Sequence, residues 1–345
     1  MRKNLHAGPK KMNNAKVSIV ITTYNRSQLL KRAIQSVLNQ NYRNFDLHVV
    51  DDGSCDETCQ VVESVLAGHE DMHYWRHEER KGLSAARNTG IARSSGDYIA
   101  FLDDDDEWKP ECIEKRVDLL MNLNPGDREK LGVVYCGCEI HIVSERRITY
   151  NMPKIEGNIK EQICTGDLWT IPSSCLFPRT VLEAIGGYDE TLFSSVDHDI
   201  WMNLAAHGYC ARYVNEALVV TYHLRQHKSM VSNTIPRIRG VEQYLTKWAS
   251  TYQNWFGKER ARRYIQRYRT RVLGGLAGQK LCNGDLREAY CLFRHIVGRN
   301  RWSPIELVLL VRLIGCKILR MCVPGKVIDK VKSAGINRIN GSILS

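Results

Sequence analysis

Asp103, Asp104, Asp105 and Asp106 stand in a row directly behind the apolar run Tyr98-Ile99-Ala100-Phe101-Leu102. Such a run reads as a buried strand, which would collect the carboxylates at its C-terminal end. Side chains alternate along an extended chain, so Asp103 and Asp105 are expected to point the same way and the other two to face away. Two carboxylates one residue apart supply hard oxygen donors for a divalent cation, Mg2+ or Mn2+. Taken alone, an acidic run is more often a solvated loop, so its meaning depends on what shares its edge. Thr22-Thr23-Tyr24-Asn25-Arg26 ends one predicted strand, and Asp51-Asp52-Gly53-Ser54 ends another. A tyrosine over a base face, a carboxylate accepting from a base N–H or a sugar hydroxyl, and a glycine that lets the backbone approach would make a nucleoside pocket. By itself Asp-Asp-Gly-Ser would be an ordinary loop and helix cap.

The elements needed to carry these groups are legible in the periodicity. Val17 to Thr22 is a strand rich in β-branched residues, followed by Leu29, Leu30, Ala33, Ile34, Val37 and Leu38 at helical spacing. A second strand covers Leu47 to Val50, and a helix with Val61, Val62, Val65 and Leu66 follows a cap at Asp56. Met72 to Arg76 is a weaker strand, Ala85 to Ala92 a helix, and Asp97 to Leu102 the fourth strand. This alternation predicts an α/β fold with a mostly parallel sheet flanked by helices. Right-handed crossovers place the strand C-termini along one edge, where such folds build their sites. Beyond Pro110 the pattern loosens. A helix to about Leu123, strands near Val133 and Ser174, a break at Gly186-Gly187, a helix from Asp197 to Ala206, and extended segments near Tyr213 and Val219 bring the domain to about residue 235. The rest reads as helical.

A length of 345 residues and a hydrophobic fraction of 43% support a large core and exclude a disordered or fibrous chain. Met1 to Lys16 is polar and basic, unlike a secretory signal, and the twelve cysteines are scattered, so a cytoplasmic chain with reduced thiols is expected. Neither Cys136-x-Cys138 nor the Cys55, Cys59 pair has a second pair at zinc spacing. The net charge of +11 is unevenly divided. Residues 1–235 hold 27 Lys and Arg against 32 Asp and Glu, and residues 236–345 hold 22 against 6. A mildly acidic body with a strongly basic tail calls for an anionic partner of the tail.

Four linked segments closely resemble glycosyltransferase family 2. They are Val17 to Asn25, Val50-Asp51-Asp52-Gly53-Ser54, Gly82 with Ala86-Arg87-Asn88-Thr89-Gly90, and Gly96 to Asp106. The resemblance covers about residues 17–227 and implies a GT-A fold and inverting transfer of sugar from a nucleotide sugar, usually a UDP-sugar. It implies that Thr22, Tyr24 and Asp52 hold the nucleoside, and that Arg87 approaches the base or the phosphates. Asp103 would lie nearer the ribose with Asp104 beside it, and Asp105 would hold the Mg2+ or Mn2+ on the diphosphate. Val196-Asp197-His198-Asp199 resembles the acceptor-side segment, making Asp197 the expected base and Asp199 its rival. Many relatives carry Glu-Asp where this chain has Val196-Asp197, so one carboxylate is missing. Asp197 would also serve as a helix N-cap, a role compatible with the first. Arg225 and His227 resemble a segment that closes over the diphosphate; a histidine in a polar loop can equally be mere surface.

The expected organisation is a flexible N-terminus (1–13), a GT-A catalytic domain (14–235) and a basic helical region (236–345). In the last, Arg260, Arg263, Arg267 and Arg271 recur on one helical face beside Tyr264 and Tyr268. Ser303-Pro304-Ile305-Glu306 is a capping box, opening a helix to Cys322 with basic and apolar sides. Residues 255–322 therefore suit an anionic membrane surface or packing on the catalytic domain, and nucleic acid is not the expected partner. The reading is a metal-dependent glycosyltransferase at the cytoplasmic face of a membrane, with a nucleotide-sugar donor and a glycan or lipid-linked acceptor, as in cell-surface polysaccharide or lipopolysaccharide synthesis. The rivals are a catalytically weak nucleotide-sugar binding protein and a sugar nucleotidyltransferase, although Thr22 to Arg26 lacks the glycine-rich phosphate loop of the latter. A glycosidase would also use two carboxylates but does not need Tyr24 or Asp52.

Overall fold

A computed structural model describes residues 15–163, 171–223 and 234–299. Arg225, His227 and residues 304–322, over which a helix is expected, lie outside the described residues. These divide into two compact units: residues up to 142 with 148–190 and 196–223, and the segments 143–147 and 191–195 with the chain from 234 onward.

The first unit is built on β1 (Val17–Thr23), β2 (Phe45–Asp51), β3 (Met72–Arg76) and β4 (Tyr98–Asp103), with β5 (Glu107–Trp108), β6 (Leu131–Ile142), β7 (Arg147–Asn151), β8 (Gly157–Asn158), β9 (Cys175–Pro178) and β10 (Cys210–His223). The sheet runs β3-β2-β1-β4-β9-β6-β10-β5, with β7 on β6 and β8 on β10. β1 lies in the middle and is buried along its whole length, as its unbroken apolar and β-branched composition requires. Its parallel pairing with β2 and β4 sets Thr23 beside Asp51 and Thr22 beside Asp103. The order 3-2-1-4 reverses direction at β1, so the crevice between the C-termini of β1 and β4 is a topological switch point. The expected parallel arrangement is found in this half. Beyond β4 the sheet becomes mixed, because β9 enters antiparallel to both β4 and β6 before β10 returns parallel to β6.

The connecting helices are α1 (Ser27–Leu38), α2 (Thr58–Leu66), α3 (Leu83–Arg93), α4 (Cys112–Met121), α5 (Pro125–Glu129), α6 (Ile159–Ile163), α7 (Arg179–Ala184) and α8 (Val196–Ala206). α1 buries Leu30, Ala33, Ile34 and Val37, the stripe seen in the sequence. The cap expected at Asp56 falls instead at Glu57, and Asp56, one residue earlier, accepts from the Thr58 amide and from the Ser27 amide at the start of α1. The packing of α3 on β1 needs glycine at position 90, where a Cβ would lie 2.3 Å from Val20 Cγ1. Cys112, Cys136, Cys138 and Cys175 are buried free thiols.

In the second unit α9 (Thr234–Cys282) is interrupted at Gly257, whose φ of 75° breaks the helix, and α10 (Leu286–Arg299) packs against it. Tyr244, Tyr252 and Tyr268 are buried there, with Tyr264 against Tyr252 at 4.3 Å between ring centres. Glu242 accepts from Nε and Nη2 of Arg269 (2.6 and 3.0 Å) and contacts His295 (3.0 Å), tying α9 to α10. Thus Tyr264 and Tyr268 face inward, while Lys258, Arg260, Arg262, Arg263 and Arg267 are exposed. Arg271 lies over the Tyr268 ring at 5.7 Å. No helix among the described residues is long and apolar enough to cross a membrane.

Candidate active site

The acidic run does not stay extended. β4 ends at Asp103, and the Asp106 amide donates to the Asp103 carbonyl (3.1 Å), closing a turn. Simple alternation therefore stops at Asp103, and Asp104 does not turn away from Asp105. Arg26 Nη1 donates to both, at 2.8 Å to Asp104 Oδ1 and 3.1 Å to Asp105 Oδ2. The Thr23 hydroxyl donates to the other oxygen of Asp104 at 2.8 Å. Burial raises the Asp104 carboxyl, Arg26 opposes it, Asp105 adds to it, and the group is pushed up to about 6. Asp106 is fully buried and accepts from the Ser173 hydroxyl at 2.6 Å. Burial, reinforced by Asp103 and Asp105, raises it well above the ordinary carboxylate range.

Arg87 is the buried centre of the site. It projects from α3 with 1% of its side chain exposed, donates from Nη2 to Asp103 Oδ1 at 2.9 Å, and donates from Nη1 to Asp197 Oδ1 at 2.7 Å. Its carbon lies 5.0 Å from the centre of the Tyr188 ring, which is itself fixed edge-on against Phe101. Burial disfavours the guanidinium charge, but Asp197 and Asp103 outweigh it and hold its pKa above the ordinary value. The residues next to Arg87 in the Ala86 to Gly90 segment are engaged as well. Asn88 donates to the Tyr188 carbonyl and to Glu190 Oε1 (both 2.8 Å) and accepts from the Tyr188 amide (2.8 Å). It thereby staples the Gly186-Gly187 turn, whose second glycine has φ 68° and leaves no room for a Cβ beside Asn88.

Asp197 and Asp199 separate clearly. Asp197 sits within the first turn of α8, after its start rather than as its N-cap, and 38% of its side chain is exposed. Asp199 is buried, with 1% of its surface accessible.

On the nucleoside side, Asp52 is buried and organises the loop that follows β3. Its Oδ1 accepts from the Lys81 amide (2.7 Å) and from His77 Nδ1 (2.9 Å), and its Oδ2 from the Gly82 amide (2.8 Å). A carboxylate only accepts, so His77 carries a proton on Nδ1, and its Nε2 lies 2.9 Å from the Thr89 hydroxyl. Gly53 has φ 82°, and a side chain there would press on the Glu79-Arg80 backbone. Tyr24 is half-buried, with the Arg80 guanidinium 4.4 Å from its ring centre. Thr22 is buried at the end of β1, next to Asp103 in register. Thr22, Tyr24, Asp52, Arg87, Asp103, Asp104, Asp105 and Asp197 thus all belong to the first unit, the strand-end groups at one sheet edge and Asp197 joined to Asp103 through Arg87.

Sequence reading missed Arg26, Thr23, His77, Ser173 and Tyr188. Arg26 and Thr23 stand in a segment it had selected but were given no role. His77 and Ser173 carry no local signal, since one follows a strand without a motif and the other is brought in from β9's flank.

Among the described residues no cluster of three or more His, Cys, Asp or Glu could hold a metal by itself. The donor set nonetheless fits a Mg2+- or Mn2+-type ion shared with a ligand, because such ions use one or two carboxylates and take their other oxygens from water and phosphate. Four carboxyl groups, Asp103, Asp104, Asp105 and Asp197, pair with two guanidinia, an excess of acid that suits a divalent cation.

A mixed α/β sheet with an acidic turn at its switch point, flanked by helices, is the GT-A fold. Residues 18–185 match the family described as Glycosyl transferase family 2, and the chain is a glycosyltransferase family 2 protein. An uncharacterized glycosyltransferase of Rickettsia prowazekii is 29% identical over 241 residues, 68% of this chain and 70% of that protein. A putative teichuronic acid biosynthesis glycosyltransferase of Bacillus subtilis, TuaG, is 34% identical over 105 residues, 30% of this chain and 42% of that one. The crystal structure of S. aureus TarS 1-349 in complex with UDP-GlcNAc superposes with a TM-score of 0.60 at 17% identity, covering 82% of this chain and 80% of that one. This chain spans 43% of a longer TarS chain (TM-score 0.54). A mannosyltransferase from Pyrobaculum calidifontis in complex with GDP-Man and Mn2+ superposes with a TM-score of 0.56 at 17% identity, covering 91% and 84%.

Proposed function

We propose that this glycosyltransferase moves a sugar, with inversion at the anomeric carbon, from a UDP-type nucleotide sugar to a hydroxyl of a glycan or lipid-linked saccharide in cell-surface polysaccharide synthesis. The observation that carries this reading is Arg87, which holds Asp103 of the strand-end cluster and Asp197 of α8 with one guanidinium. Asp197, half-exposed, accepts the proton of the acceptor hydroxyl as that oxygen bonds to the anomeric carbon and the bond to the donor phosphate breaks. Arg87 fixes Asp197 in direction through the 2.7 Å hydrogen bond to its Oδ1. On the donor side, Tyr24 and Asp52 bind the nucleoside, Thr22 lines the strand end, and Asp103 with Asp104 shapes the ribose side. Asp105, with Asp103, would hold Mg2+ or Mn2+, which offsets charge on the departing diphosphate. Arg225 and His227 are proposed to approach the same diphosphate.

The teichuronic acid name of the Bacillus relative and the UDP-GlcNAc in the TarS complex favour a polysaccharide acceptor and a UDP donor. The exposed Lys258, Arg260, Arg262, Arg263 and Arg267 favour work against anionic lipid at the cytoplasmic face of a membrane.

A panel of nucleotide sugars, with and without Mn2+, tests the reading by release of nucleoside diphosphate. Turnover of one donor that requires Mn2+, is lost in Asp105→Ala, and falls about a hundredfold or more in Asp197→Asn is the expected result. Binding of UDP without turnover, even with a polysaccharide acceptor supplied, would favour the nucleotide-sugar binding protein instead. Failure to bind any nucleotide would refute both.

A further inference from the structure

Arg26 stands at the start of α1, and no step proposed above employs it. Its position among the carboxylates is selective. Asp103 is engaged by Arg87 and Asp106 by Ser173, which leaves Asp104 and Asp105 to Arg26. The two contacts are not equivalent. Asp104 has 6% of its side chain exposed and is held from its other oxygen by Thr23, whereas Asp105 is 34% exposed and Arg26 itself 23%. The bond to Asp104 is the anchor, and the longer bond to Asp105 is the one a competitor can reach.

The competitor is a cation. A divalent ion approaching Asp105 meets a guanidinium already on that carboxylate, and two cations cannot share it without strong repulsion. Either the ion stays out or Arg26 releases Asp105. A guanidinium that loses one carboxylate keeps a planar set of N–H donors suited to phosphate oxygens. A diphosphate brings such oxygens and so makes the release favourable.

We propose that Arg26 is a donor-responsive counter-ion: without donor it occupies Asp105 and keeps divalent cations weakly bound, and with donor it turns to the diphosphate and yields Asp105 to the cation. The proposal rests on the reading of Asp105 as the cation's ligand. It makes cation and nucleotide binding mutually dependent, each strengthening the other by the same factor.

The test is Mn2+ binding to the full chain, read from the electron paramagnetic resonance of unbound Mn2+, with and without UDP, in the wild type, Arg26→Gln and Arg26→Lys. In the wild type UDP should tighten Mn2+ binding about tenfold or more, the loss of one charge-assisted contact setting the scale. In Arg26→Gln, Mn2+ should bind about tenfold tighter than to the wild type without UDP, the gain from UDP should be about tenfold smaller than in the wild type, and UDP should bind more weakly. Arg26→Lys, which keeps the charge, should retain most of the coupling and guards against a variant that merely folds poorly. If Arg26→Gln shows wild-type Mn2+ affinity without UDP, or the full gain with it, the proposal is overturned while Asp105 remains a cation ligand. If the wild type binds no Mn2+ even with UDP, the cation reading fails and this proposal with it.

Discussion

Replacing Arg87 with methionine removes the guanidinium and keeps most of the side-chain volume. Two charge-assisted hydrogen bonds disappear, at 2.7 and 2.9 Å. Cutting one partner from a fully buried ion pair costs about 3–5 kcal/mol. Here Arg87 is buried but Asp103 and Asp197 are 30% and 38% exposed, so water can take up both carboxylates once the arginine is gone. The expected loss of stability is therefore smaller, about 2 kcal/mol, read as a shift in the urea midpoint at unchanged slope. Activity should fall much further. A general base contributes about 10^2 to 10^4 in rate, and a base freed to rotate in water loses most of that. Steady-state kinetics at a temperature where the variant is fully folded should show kcat down about a hundredfold, with the donor KM changed no more than about threefold. Arg87→Lys should recover little, because one ammonium is a point charge and cannot span two carboxylates held by a planar fork. Added guanidinium at low concentration should partly restore Arg87→Ala. A kcat for Arg87→Met within about fivefold of wild type, with the stability loss present, would refute the reasoning and reduce Arg87 to a structural contact.

Gly90→Ala places a Cβ against Val20 and should cost about 1–3 kcal/mol in thermal or urea unfolding by forcing α3 off β1; an unchanged midpoint would show that the helix moves freely. Asp46 is buried, which opposes its ionisation, yet hydrogen bonds from His48, Lys16 and Ser18 outweigh this and hold its carboxyl below the usual range. A depressed folded pKa gives stability that is present above the unfolded value of about 4 and is lost as pH falls toward the folded one. Asp46→Asn should therefore be less stable than wild type by about 2 kcal/mol near pH 7, and the gap should narrow below pH of about 4; a gap independent of pH would contradict this. Reversing the exposed charge at Arg260, Arg263 and Arg267 to glutamate should abolish cosedimentation with vesicles containing phosphatidylglycerol, without changing hydrolysis of a soluble donor. Equal sedimentation of both proteins would remove the lipid proposal.

Much of this protein is readable in one dimension, because strands and helices announce themselves through short-range periodicity. The buried run into Asp103, the β-branched strand at Val17, and the stripe of Leu30, Ala33, Ile34 and Val37 each appear where their spacing places them. Once β1, β2 and β4 are parallel, Thr22, Asp51 and Asp103 must reach the same edge, so the existence of an acidic site was also contained in the sequence. Which side chain meets which was not. Local alternation assigned Asp104 to the far side, but a turn closing on Asp103 brings Asp104 and Asp105 to one guanidinium. β9 enters between β4 and β6, with Ser173 just ahead of it, although no short motif marks its direction. Arg87 and Asp197 stand 110 positions apart, and nothing in either neighbourhood specifies the other. Periodicity is a property of adjacent turns and pleats and is written in neighbouring residues. An ion pair between α3 and α8 depends on the packing of both helices around the sheet edge, and only the tertiary structure decides it.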